Sequence, residues 1–216
     1  MTMDHIASLE NLYSAVVADV LDKMGYRNQI LGAGIHALTP AKRVCGRVFT
    51  AKAESVDALP EEPYKLEMAA IDTMQAGDVL VVDAQHNDKA AFWGELLSTA
   101  CQAKGVRGVV MSTCCRDMWA LEKMGFPVFG IGMNPADSYG RIDVTSIAQP
   151  IEIDGVKTKN GDYLLGDLDG VVIIPSEAAE EAIRNAEEKV SGENTVRKEL
   201  RAGVPVAEVF RKHGIL

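Results

Sequence analysis

The 216-residue chain has four cysteines, at positions 45, 101, 114 and 115, with no C-x-x-C pair and no spaced histidines beside them. Structural zinc draws its ligands from such spaced pairs, so a zinc site is not expected. Cys114 and Cys115 are adjacent and must point to different sides of any regular element. At least one of them should pack as a small apolar side chain, and all four read as reduced thiols. The four histidines, at 5, 36, 86 and 213, form no H-E-x-x-H motif. No window approaches the ~20 consecutive apolar residues that a membrane span requires. The N-terminus carries Asp4 and lacks a basic n-region, so it does not read as a signal peptide, and a cytoplasmic location is expected. The formal net charge is −9, with basic residues interspersed among acidic ones. A nucleic-acid partner would need a basic stripe, so neither nucleic acid nor membrane is an expected partner.

What is present is ample for a buried core: 47% of the residues are hydrophobic, which suits one domain over 1–216. Apolar residues recur at helical spacing over 4–24 and Gly25 stops that helix. Residues 26–42 read as a loop, 43–53 as a strand and 64–74 as a helix. The run 78–83, "DVLVVD", suits a strand buried on both faces. A helix over 94–105, a strand over 107–111, a helix over 117–125 and a strand over 127–131 complete a β-α-β-α-β unit of parallel strands. Short strands follow at 141–147, 151–158 and 169–175, separated by Gly/Asp turns. From about 176 the chain is helical, with a break expected near Ser191 and Gly192 and a last helix over 206–214.

Two motifs have dull explanations. Gly32-Ala33-Gly34-Ile35-His36-Ala37 fits G-x-G-x-x-A, but a dinucleotide site needs that pattern between a strand and a helix, and Pro40 follows at once. Asp167-Leu168-Asp169-Gly170 resembles the start of a calcium loop but lacks its later ligands, so tight turns are expected there. His86, after a strand end, reads as an exposed loop histidine.

The chemistry gathers elsewhere. Asp83 ends one buried strand, Glu95 opens the next helix, and Arg116-Asp117 opens the one after it. Glu95 and Arg116 are separated by one helix plus one strand, so both return to the carboxyl edge of the sheet, where open α/β sheets bind ligands. The helix starting at Gly94-Glu95-Leu96-Leu97 presents free N–H groups at that edge. A carboxylate ligand, a divalent ion on Asp117 or Glu95, and the Arg116 guanidinium could converge there. Helix-dipole and surface-pair roles for the same residues fit the pattern equally well.

Six stretches in this order resemble the RraA-like superfamily: "VADVLDKMG" (17–25), "GDVLVVD" (77–83), "GELLSTACQAKGVRGVV" (94–110), "RDMWALEKMGFPVF" (116–129), "GVKTKNGDYLLGDLDGVVIIP" (155–175) and "ENTVRKELRAG" (193–203). The resemblance covers about 14–213. It implies an α/β fold, an αββα sandwich with a swivelling-domain-like core and helical N- and C-terminal extensions, assembled as a homotrimer or homohexamer with sites between subunits. The superfamily holds 4-hydroxy-4-methyl-2-oxoglutarate aldolases with oxaloacetate decarboxylase activity, and a protein regulator of RNA degradation. On the aldolase pattern, Asp117 would bind Mg²⁺ or Mn²⁺ directly. Glu95 would act through water, as would Glu193 from a neighbouring subunit. Arg116 would contact the pyruvyl oxygen of a small 2-keto acid, and Gly94, Leu96 and Leu97 would bind its carboxylate through backbone N–H groups. The rest of the substrate would meet a pocket built partly by another subunit, with His86 or Trp93 as possible contributors. The family often has Asp-Gly where this chain has Ser112 and Thr113. The expected activity is a metal-dependent lyase passing through an enolate. A non-catalytic regulator of an RNA-degrading enzyme is the alternative, and methyl transfer to a quinone ranks last.

Overall fold

The computed structural model describes residues 4–215. In chain order the elements are α1 (His5–Leu9), α2 (Ser14–Lys23), β1 (His36–Ala37), β2 (Val44–Ser55), α3 (Lys65–Thr73), β3 (Asp78–Trp93), α4 (Glu95–Ala103), β4 (Gly108–Cys115), α5 (Met118–Met124), β5 (Val128–Gly130) and β6 (Gly132–Met133). They continue with β7 (Ile142–Ile147), β8 (Ile151–Ile153), β9 (Val156–Thr158), β10 (Tyr163–Gly166), β11 (Val171–Ile174), α6 (Ala179–Arg201) and α7 (Val206–His213).

One mixed sheet runs β1-β5-β4-β3-β2-β10-β11, with β6 on β4 and β7 on β2. The β2-β3, β3-β4 and β4-β5 pairs are parallel, as the alternation with helices requires. Side-chain alternation sorts each strand between layers. Leu80 and Val82 of β3 join a core with Ala70, Cys101 and Leu121 from α3, α4 and α5. Val79 and Val81 point the other way, into a core shared with Val171 and Ile173 of β11 and Leu164 of β10. Val172, Ile174 and Leu165 in turn pack on α1, α2 and α6. Helices therefore cover two outer faces, and the strands share one inner core, which is the αββα arrangement.

Several expectations change. The helix over 4–24 is two helices, broken at Glu10–Tyr13. The guanidinium of Arg43 takes the carbonyls this break frees, donating to Leu9 O at 2.8 Å, to Glu10 O at 3.1 Å and to Leu12 O. The strand beginning at 78 extends to Trp93. Its register against β4 shifts after Val82, and Gln85 and His86 take left-handed φ of 53° and 55°, so an irregular excursion interrupts one long strand. No break falls at Ser191-Gly192, because α6 is continuous over 23 residues. Gly192 leaves room for Ile215, since a Cβ there would lie 2.9 Å from its Cδ1, and one glycine's roughly 1 kcal/mol propensity cost is not enough to break a helix of this length. Strand β10, only four residues between turn-formers, has no periodic signal long enough to read in sequence. Asp167 is a turn residue that accepts from the N–H and hydroxyl of Ser14, at 2.7 and 2.6 Å, which fastens α2 to the β10–β11 turn. Among the described residues, no helix is long and apolar enough to cross a membrane.

Candidate active site

Two strand ends lie side by side. Strand β3 ends at Trp93, and Gly94 leads into α4. Strand β4 ends at Cys115, and Arg116-Asp117 leads into α5. The backbone ties the turns together: Arg116 N–H donates to Trp93 O at 2.9 Å, and Glu95 N–H donates to Asp117 Oδ2 at 3.1 Å. Asp117 sits at φ 62°, ψ 33°, a left-handed conformation that aspartate tolerates better than most residues, at a cost of order 1 kcal/mol. Gly94 is needed for close approach, since a Cβ there would lie 2.5 Å from Asp117 Oδ2 and 3.4 Å from Arg116 Cγ.

The first backbone bond at the start of α4 is Ser98 N–H to Gly94 O, 3.2 Å. The N–H groups of Leu96 and Leu97 precede it and are among the donors a helix start leaves free. They open toward the same cleft with the positive end of the helix dipole. Arg116 lies between two carboxylates, with Nε 3.9 Å from Asp117 Oδ2 and Nη2 3.4 Å from Asp137 Oδ1. Asp137 is fixed from its other oxygen by the Tyr64 hydroxyl, which donates at 3.0 Å.

The cleft has a volume of about 250 Å³ and is lined by Glu67, Trp93, Leu97, Arg116, Asp117 and Asp137, among others. Glu67, in the first turn of α3, is only 7% exposed. Burial pushes its pKa up to about 8, the negative charges of Asp137 and Asp143 add to the rise, and Arg116 opposes it. Burial and the bond to Asp137 push Tyr64 up to about 12. Exposed Trp119 and Met133 border a second recess on the far side of Arg116 and Asp117.

The donor set bears on metal binding. Among the described residues, no three His, Cys, Asp or Glu side chains converge as a metal cluster. The Glu95 carboxylate turns back along α4 to accept from Thr99 Oγ1 at 2.9 Å. An ion at this turn would therefore take Asp117 directly and complete its shell from water and substrate. That is how Mg²⁺ commonly binds, and Mn²⁺ accepts the same oxygen ligands, so the residues present fit either ion.

The structure thus brings Gly94, Glu95, Leu96, Leu97, Arg116 and Asp117 to one place. Glu193 lies apart on α6, bonded to the Tyr13 hydroxyl and 3.8 Å from Arg197. His86 pairs with Asp154 and does not line the cleft, whereas Trp93 does. Asp154 also accepts from Gly32 N–H at 2.9 Å, so the glycine motif is held by a carboxylate and precedes no helix. Asp83 faces inward, accepting from the Ser112 hydroxyl at 3.2 Å. Ser112 and Thr113 are fully buried in the β3–β4 seam, Thr113 donating to Asn87 O at 2.7 Å. All four cysteines are buried and free. Burial pushes Cys101 and Cys115 up to about 12, so both are thiols held protonated, and of the two only Cys115 adjoins the charged pair. Sequence reasoning missed Tyr64, Glu67 and Asp137. A lone Glu67 among Leu66, Ala70 and Ile71 was a readable anomaly, but nothing in the sequence marked the other two.

The RraA-like family, described as Aldolase/RraA, matches residues 14–173. A Halalkalibacterium halodurans protein named "Putative 4-hydroxy-4-methyl-2-oxoglutarate aldolase" is 27% identical over 208 residues, 96% of this chain and 94% of that protein. An uncharacterized Pseudomonas syringae protein shares the fold with a TM-score of 0.88 over 98% of this chain and 95% of its own, at 23% identity. Streptomyces coelicolor RraAS2, described as an unusual member of the RNase ES inhibitor RraA family, superimposes with a TM-score of 0.81 at 26% identity, over 92% of this chain and 98% of its own.

Proposed function

The chain belongs to the RraA-like aldolase family, and from that premise we propose that it is a divalent-metal-dependent lyase on 2-keto acids. It cleaves a 4-hydroxy-2-oxo acid to pyruvate and an aldehyde or ketone, or decarboxylates oxaloacetate. The observation that carries this reading is the meeting of Arg116, Asp117 and the free N–H groups of α4 at one cleft.

In the cleavage (retro-aldol) direction the C3–C4 bond breaks, the C4 hydroxyl loses its proton, and the electron pair moves onto the 2-keto oxygen as an enolate. Protonation at C3 then gives pyruvate. In the decarboxylation CO₂ leaves in place of the carbonyl fragment. Asp117 would hold Mg²⁺ or Mn²⁺ directly, with Glu95 and a neighbouring subunit's Glu193 acting through water. When bound, the ion supplies Lewis acidity at the keto oxygen. Arg116 holds a permanent positive charge beside the same oxygen, and a preorganised donor of this kind is worth about 3–4 kcal/mol of barrier. The N–H groups of Leu96 and Leu97 orient the substrate carboxylate. Asp137 and Asp117 hold the guanidinium between them, so little reorganisation is needed as charge develops. The exposed Leu96, Trp119 and Met133 around the mouth support a homotrimer or homohexamer with the site at an interface.

The RraAS2 likeness supports a second reading, a non-catalytic protein that binds and regulates an RNA-degrading enzyme. One experiment separates the two: pyruvate release from oxaloacetate with and without Mg²⁺ or Mn²⁺, on the parent and on Asp117→Ala. Ion-dependent release lost in the variant supports the lyase. Full activity in excess chelator, or no release with either ion, defeats it.

A further inference from the structure

Glu67 is the most unusual group in the cleft. Its side chain lines the cavity and is more than nine-tenths buried. Among the described residues it forms no hydrogen bond or ion pair. Its titratable and charged neighbours come from several elements: the neutral Tyr64 from the cap of its own helix, Arg116 from the β4–α5 turn, Asp137 from the loop before β7, and Asp143 from β7. The only cation among these is Arg116, already shared between Asp117 and Asp137.

We propose that this end of the cleft takes an uncharged, hydroxylated aldehyde fragment, held by Glu67, Tyr64 and Asp137, and that it disfavours a fragment bearing a second carboxylate. This rests on the lyase reading and narrows its aldol substrates, as distinct from the decarboxylation of oxaloacetate, to 4-hydroxy-2-oxo acids whose departing fragment carries no carboxylate. The physical reason is that Glu67 is itself a carboxyl in that position, where burial and the charges of Asp137 and Asp143 push its pKa up to about 8 and favour its neutral form. The burial and the Asp137 field that act on Glu67 also oppose a carboxylate that a substrate brings beside it. A neutral carboxylic acid instead offers one O–H donor and acceptor oxygens, which match a hydroxyl or a carbonyl. Asp137 offers further acceptor capacity for a hydroxyl, and Trp93 and Leu97 supply apolar walls for the carbon chain.

The test runs the reaction toward condensation. The purified full chain with Mn²⁺ and pyruvate is offered glycolaldehyde or glyceraldehyde, which are neutral, and glyoxylate or a second pyruvate, which are anionic. The C3 carbanion of pyruvate joins the acceptor carbonyl carbon, and the proton lost from C3 ends on the acceptor oxygen, so no oxidant or reductant enters. The expected kcat/KM is at least about tenfold higher for the neutral acceptors, since like charges set together disfavour binding by well over that factor in a dry site and by less in an open one. Asp137→Asn should shrink that ratio by about fivefold or more by removing the opposing charge. Glu67→Gln, neutral and of the same shape, should keep it. Wild-type turnover that is equal or better with glyoxylate overturns the selectivity while leaving the lyase intact. No adduct with any acceptor, together with no pyruvate from oxaloacetate, overturns both.

Discussion

Replacing Gly94 by alanine tests the site through one added methyl group. The new Cβ would stand 2.5 Å from Asp117 Oδ2, so the carboxylate must withdraw by about 1 Å to reach ordinary contact distance. Withdrawal breaks the 3.1 Å bond from Glu95 N–H and shifts Asp117 relative to Arg116. Gly94 itself is in extended backbone at φ −159°, which alanine can adopt, so the effect is steric. Overpacking of this kind costs about 1–3 kcal/mol of stability. At about 2–4 °C per kcal/mol for a chain of this size, the fall in Tm is readily measured by calorimetry. Displacing the Asp117 carboxylate by about 1 Å should lower pyruvate formation from oxaloacetate by about a hundredfold. Adding Asp117→Ala removes the atom that the methyl meets. Within the Asp117→Ala background, Gly94→Ala should therefore cost little further stability, a coupling of about 0.5–3 kcal/mol. Wild-type turnover in Gly94→Ala, or a stability loss unchanged in the double variant, would refute the packing argument.

Three further outcomes are expected. Arg116→Ala should reduce kcat for oxaloacetate by about 10²–10³-fold, with Arg116→Lys recovering only part of it, as steady-state assays would show. Glu67 has a folded pKa of about 8 against an ordinary 4.5, so the folded state binds the extra proton and stability falls as pH rises between those values. Glu67→Gln should therefore gain about 3–5 kcal/mol over the parent at pH 9 and nothing comparable at pH 4, read from Tm against pH; parallel curves would discount the buried acid. The four buried thiols should be silent to a thiol reagent in the native protein and all react in denaturant, whereas rapid native labelling of Cys115 would contradict its burial.

The linear sequence already determined much of the architecture. Short apolar runs such as 78–83 and 107–111, alternating with helical periods capped by glycine, specify a parallel β-α-β-α-β unit, because those periods bury on one geometry only. The same alternation places Glu95 and Arg116-Asp117 at the carboxyl edge, since one helix plus one strand returns the chain to the same side. The long extension of β3 to Trp93 was hidden, because its polar middle, with two left-handed residues, carries no strand period. The continuity of α6 through Gly192 was hidden too, because the approach of Ile215 that a side chain there would obstruct exists only once α7 and the chain after it have folded back on α6. The chemistry of the cleft divides in the same way. Which residues begin the helices is local, and sequence spacing suffices to find them. That Tyr64, Glu67 and Asp137 close the cleft, and that Glu67 keeps its proton there, depends on a helix, a turn and a loop meeting in space. Burial and the field of neighbouring charges exist only once the chain has folded, so only the tertiary structure could decide them.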